Sequence, residues 1–173
     1  LAAFGKKYPQ IDESKLAEVF AVSYESRDGL QIPAYLTLPN GHSLDSAKAL
    51  PFIVLPHGGP HARDFRRFDW LAQMLAGAGY GVLQMNFRGS TGYRVNFEKA
   101  GQGNWGEAMI NDVTDGTNWL IEPGFADAKR LCITGASFGG YAAMISAVRE
   151  PNLYQCAVSL LSLIHISEPT RHT

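Results

Sequence analysis

No stretch of this 173-residue sequence approaches the roughly 18 consecutive apolar residues that a membrane-spanning helix needs. Nor do its charges gather. The 15 basic and 16 acidic side chains are scattered and leave a net charge of −1. This excludes the basic stripe of a nucleic-acid-binding surface and the cationic amphipathic helix of a membrane-surface protein. Cysteine is scarce: Cys132 and Cys156 each sit in an apolar, strand-like run and read as buried free thiols, not a disulfide. Residues 1–7 lack a charged segment followed by an apolar one, so they do not read as a signal peptide. The compartment stays open between cytoplasm and periplasm. No metal or cofactor is expected.

What is present is the composition of a globular domain, 46% hydrophobic with 18 glycines, on a chain long enough to bury one sizeable core. Two strand-like runs, Val19 to Tyr24 and Ile32 to Leu38, are joined across Arg27-Asp28-Gly29, a hairpin signal. The grammar then changes. Pro51 to Leu55, Gly81 to Phe87, Leu131 to Thr134 and Cys156 to Leu161 are continuous apolar runs, the mark of strands buried on both faces. Helical spacing separates them, from Phe68 to Ala78, Trp105 to Ile121 and Phe138 to Val148, with a glycine-rich loop from Gly89 to Gly103. Alternating strands and helices predict an α/β fold with a mainly parallel sheet covered by helices on both faces. In the Trp105 to Ile121 helix, Asp112 and Asp115 fall largely off the apolar face and read as solvated or helix-end charges.

The strongest chemical signal is Gly135-Ala136-Ser137-Phe138-Gly139, a G-x-S-x-G pattern between a predicted strand and a predicted helix. A strand must turn sharply into a helix there, with the serine at the apex in a strained conformation that exposes its Oγ. Glycines are needed on either side because neighbouring backbone crowds the turn. Ser137 is therefore the candidate nucleophile; the alternative is an ordinary N-capping serine. His57-Gly58-Gly59-Pro60 follows the first buried strand, where an α/β-hydrolase places one backbone N–H of its oxyanion hole. The other comes from the residue after the nucleophile. Gly59 and Phe138 are the candidate donors. Arg88, in Asn86-Phe87-Arg88-Gly89-Ser90-Thr91-Gly92-Tyr93, either contacts substrate or braces the loops.

Taken in order, HGGP, NFRGSTGY, WG before ND-V-TDGTNWL, and GASFGGY resemble the prolyl oligopeptidase family of serine peptidases, most nearly its acylaminoacyl-peptidase-like and dipeptidyl-peptidase-like branch. The resemblance runs from about Tyr24 to Leu160, and Ile32 to Pro39 is similar to the opening of that family's hydrolase domain. It implies an α/β-hydrolase fold, hydrolysis of small peptides by a Ser-Asp-His triad, and a parent with a β-propeller ahead of the hydrolase domain. Residues 1–18 would then be a remnant of the preceding region, and 19–161 the front part of the catalytic domain.

The sequence departs from the family after Ser137. No aspartate follows, and His165 and His172 come too soon for a βα unit to intervene before each triad partner. The expectation is a catalytic domain incomplete at its C-terminal end and inactive as it stands, with residues 162–173 a non-native tail. A carboxylesterase or lipase would use the same turn and loop. A non-catalytic hydrolase-like binding module is the reading from another class, disfavoured because a strained serine has no use without chemistry.

Overall fold

Strand β1 (Val19–Glu25) turns back into β2 (Gln31–Thr37) through a tight loop in which Ser26 and Leu30 pair and Gly29 takes a positive φ of 86°. The antiparallel register sets Tyr24 opposite Ile32. The computed structural model describes residues 9–160. From β3 (Leu50–Val54) onward the chain alternates strand and helix: α1 (Trp70–Gly77), β4 (Gly81–Met85), α2 (Val95–Lys99), α3 (Ala108–Ile121), β5 (Ala126–Ala136), α4 (Phe138–Arg149) and β6 (Cys156–Leu160). The sheet order is β1-β2-β4-β3-β5-β6. β2 pairs antiparallel with β4, while β4, β3, β5 and β6 run parallel. The glycine-rich loop expected from 89 to 103 thus contains a short helix, α2.

This order has a functional consequence. β4 lies on one side of β3 and β5 on the other. Right-handed crossovers therefore send α1 to one face of the sheet and α3 and α4 to the opposite face, where α3 and α4 pack on each other. Where the order reverses, the loops after β3 and β5 diverge and open a crevice beyond the carboxyl ends of the strands. The main core lies on the α3/α4 side and joins Leu36, Leu83, Met85, Val54, Ile133, Leu120 and Phe138, all buried. On the α1 side the buried cluster is Leu55, Ala72 and Val82, with Leu71 and Leu75 packed against it.

The structure revises three of the sequence readings. Cys132 and Cys156 are opposite one another in the β5–β6 register and form a disulfide, with Cα atoms 4.7 Å apart. Twenty-four residues separate them, and only the strand pairing brings the two sulfurs together. β6 is not buried on both faces: its burial alternates along the strand, leaving Val158 and Leu160 exposed. Asp112 is fully buried, not solvated, because a cation from another loop meets it inside, as described below. The residues assigned to a tail, 162–173, lie outside the described residues, as do residues 1–8 of the segment assigned to a preceding region.

Candidate active site

Ser137 is the hinge between β5 and α4, at φ 56° and ψ −121°. A side-chain-bearing residue in that region is strained by roughly 1–3 kcal/mol and persists only where its surroundings enforce it. Here they do. A Cβ on Gly135 would lie 2.5 Å from the backbone of Gly139, and one on Gly139 would collide with the carbonyl of Pro56. The two glycines let α4 start directly against the strand end and the β3 loop. The Ser137 N–H donates to the Leu160 carbonyl at 2.9 Å, so β6 also holds the turn. Phe138 opens α4 with its ring fully buried, which keeps its backbone N–H beside the serine at the positive end of a twelve-residue helix.

The loop after β3 comes to the same place. Gly58 lies so close that a Cβ on it would stand 3.4 Å from the Cβ of Ser137 and 3.1 Å from the Ala136 carbonyl. Gly59 follows at φ 133°, joined to Pro60 by a cis peptide bond. His57 fastens this loop. Its ring stacks on Phe87 with centroids 4.3 Å apart. Its Nδ1–H donates to the Gly58 carbonyl at 2.7 Å, and its Nε2 pairs with the Ser90 hydroxyl at 2.9 Å. Burial lowers the His57 pKa. Because a peptide unit is planar and trans, a Gly58 carbonyl held toward His57 turns the Gly59 N–H away from it.

Arg88 lies in the loop after β4, and its guanidinium is fully engaged. Nε and Nη2 donate to the two oxygens of Asp112 at 2.9 and 2.7 Å, while Nη1 and Nη2 donate to Asp28 at 2.7 and 2.9 Å. The Arg88 backbone N–H and the Ser26 hydroxyl also donate to Asp112. These carboxylates raise the Arg88 pKa further above its ordinary value. The cluster ties the β1–β2 turn, α3 and the β4 loop into one unit. Asp115 takes part through Arg27, at 2.7 Å.

Ser137, Phe138, Gly58 and Gly59 therefore meet at one strand-end crevice, whereas Arg88 faces the hairpin and α3. Two contributors carried no assignment in the sequence reading. His57 stood inside the HGGP motif, but its role depends on Ser90, 33 residues away. Asn86 is fully buried, accepts from the Asp64 N–H at 2.7 Å and donates to the Tyr93 hydroxyl at 2.8 Å, joining the β3 and β4 loops. An uncharged amide at the end of an apolar strand was the available signal. Among the described residues no group of three His, Cys, Asp or Glu side chains is arranged to hold a metal ion.

Comparison with known proteins agrees with this geometry. The chain is 36% identical over 157 residues to dipeptidyl aminopeptidase BIII of Pseudoxanthomonas mexicana, covering 88% of this chain and 23% of that protein. It is 31% identical to dipeptidyl peptidase family member 6 of Caenorhabditis elegans, covering 93% and 25%. It superimposes on a puromycin hydrolase crystal structure with a TM-score of 0.80 and 30% identity, over 88% of this chain and 23% of that one. The chain thus spans about a quarter of the length of these relatives. A profile of the prolyl oligopeptidase family matches residues 66–166, more than half of the sequence and every element from α1 to β6. The chain belongs to the prolyl oligopeptidase family.

Proposed function

We propose that this protein is a serine peptidase that cleaves small peptides through an acyl-enzyme on Ser137. The observation that carries the proposal is the strained backbone of Ser137 between two glycines that admit no side chain. Relatives bear the names of a dipeptidyl aminopeptidase and of acylamino-acid-releasing enzymes, which favours peptide over simple ester substrates. Ser137 Oγ attacks the peptide carbonyl carbon while its proton passes to a general base. The C–N bond then breaks, the amine leaves with that proton, and water releases the acyl group from Oγ. The N–H groups of Gly59 and Phe138 hold the oxyanion as it forms, and His57 keeps the first of them aimed. Arg88 braces the loops from beneath. The base and its orienting acid are placed outside residues 9–160, and a β-propeller ahead of the hydrolase portion belongs to the same proposal, on the strength of the family resemblance.

The test is made on the full-length protein. Ser137→Ala should lower kcat by on the order of 10⁵–10⁶ with the fold retained, and a fluorophosphonate probe should label the parent and not the variant. Labelling that persists in the variant would remove Ser137 from the mechanism.

A further inference from the structure

The disulfide between Cys132 and Cys156 takes no part in the reaction, yet its position ties it to the nucleophile. Its two cysteines are 24 residues apart. The covalent ring they close holds the end of β5, Ser137 and the whole of α4. The bond joins β5 to β6 at the first pair of their register, and the last pair, Ala136 and Leu160, lies beside the turn. There the Leu160 carbonyl accepts from the Ser137 N–H at 2.9 Å. α4 presses on the same end of β6: a Cβ on Gly140 would stand 2.8 Å from Ser159 Oγ and 3.0 Å from the Leu160 carbonyl. β6 pairs with no other strand among the described residues, so its register rests on β5 and on this one covalent bond. Ser137 keeps a φ of 56°, which lasts only where its surroundings enforce it, and β6 is one of the elements that enforce it. The sulfurs are also within reach of a reagent. Cys156 is exposed and Cys132 half-buried. Cys156 shares the side of β6 that carries the exposed Val158 and Leu160, away from the core that takes Leu131 and Ile133. Thiolate attack on a disulfide needs such access.

We propose that the Cys132–Cys156 pair is a redox-sensitive site: a dithiol that reduces it loosens β6 and slackens the Ser137 turn, and reoxidation restores both. A thiolate of the dithiol attacks the exposed Cys156 sulfur, the S–S bond breaks, and Cys132 leaves as a thiolate that takes a proton. The second thiol then attacks the mixed disulfide and frees Cys156, which takes the second proton. Two electrons have passed to the protein, which holds two thiols, and the dithiol has become a disulfide. The effect on catalysis rests on the peptidase reading above; the effect on the turn does not.

The test uses the full-length protein, with dithiothreitol as the dithiol and oxidised glutathione for the return. Peptide mapping after maleimide alkylation reports whether Cys132 and Cys156 are bonded or free. Reducing the folded protein should slow fluorophosphonate labelling of Ser137 by on the order of 10²-fold, the scale on which a displacement of about 1 Å acts at a reacting atom. Amide exchange over residues 135–140 should quicken by about tenfold as the Ser137 N–H loses its acceptor. Reoxidation should reverse both. The double variant Cys132→Ser, Cys156→Ser should label at the slow rate with or without dithiothreitol. The site is overturned if labelling or exchange stays within about twofold when both thiols are free, or if the pair resists dithiothreitol until the protein unfolds. Both outcomes are read on the unaltered protein, whatever the variant's folding. A double variant that labels as fast as the oxidised protein, or that still slows with reductant, overturns it too. The peptidase reading fails separately: exchange that follows the redox state with no labelling of Ser137 in either state leaves the site standing without that function.

Discussion

Asp112, on the α3/α4 side of the sheet, and Asp64, on the α1 side, are both carboxylates withdrawn from water, and they are treated in opposite ways. Asp112 receives two guanidinium N–H groups, a backbone N–H and a hydroxyl. Asp64 lines a hollow of 230 Å³ together with Asp69, Trp70 and Leu71, and its Oδ2 is buried with no hydrogen-bond partner. Desolvation, with Asp69 nearby, pushes the Asp64 pKa up to about 7. The apolar packing differs in the same sense. The α3/α4 side holds the large continuous core, while the α1 side leaves Trp70 64% exposed and Leu160 50% exposed. Among the described residues, the α3/α4 face is closely packed and its carboxylate is satisfied, while the α1 face is thinly covered and leaves Asp64 Oδ2 without a hydrogen-bond partner. Burying a polar group is tolerated only when that group also finds its hydrogen-bond partners.

That contrast is easiest to break in the two cores. Leu36, fully buried between β1 and β4, should cost about 3–5 kcal/mol on truncation in Leu36→Ala. Leu75, partly buried on α1, should cost about 1 kcal/mol in Leu75→Ala, since much of its surface is already wet. Urea unfolding of the full-length protein measures both, and equal losses would erase the distinction between the faces.

Asp64 sharpens the comparison through pH. Its folded pKa lies above its unfolded value, so the folded state holds the proton more tightly. Stability from this group is fully present below about pH 4 and is withdrawn progressively as pH rises toward 7. Asp64→Asn should leave stability near pH 4 little changed and raise it at pH 8 by on the order of 2 kcal/mol. A parallel loss at both pH values would show that the carboxylate has a partner after all.

The smallest effect belongs to Trp70→Ser. With most of the ring in water, the change should stay within about 0.5 kcal/mol, read as a melting temperature nearly unmoved. A loss of several kcal/mol would mean that the α1 face is better covered than its exposed ring indicates.

The sequence by itself determined the elements and the reactive turn, because both are written locally. Strand-like and continuous apolar runs placed β1 to β4 to within about two residues, while β5 begins at Ala126, five residues before the expected Leu131. Gly135 and Gly139 around Ser137 announced a backbone that no other residue tolerates, and family membership followed from ordered motifs. Partnership was decided only by the tertiary structure. That Cys132 faces Cys156, that Arg88 enters the core to meet Asp112, that Ser90 anchors His57 and that Asp64 goes unpaired all depend on which strands lie side by side. A hydrogen bond or a sulfur–sulfur bond reaches only a few ångströms, and between groups 24 to 33 residues apart no local spacing encodes that distance. The strand order around β3 supplies it.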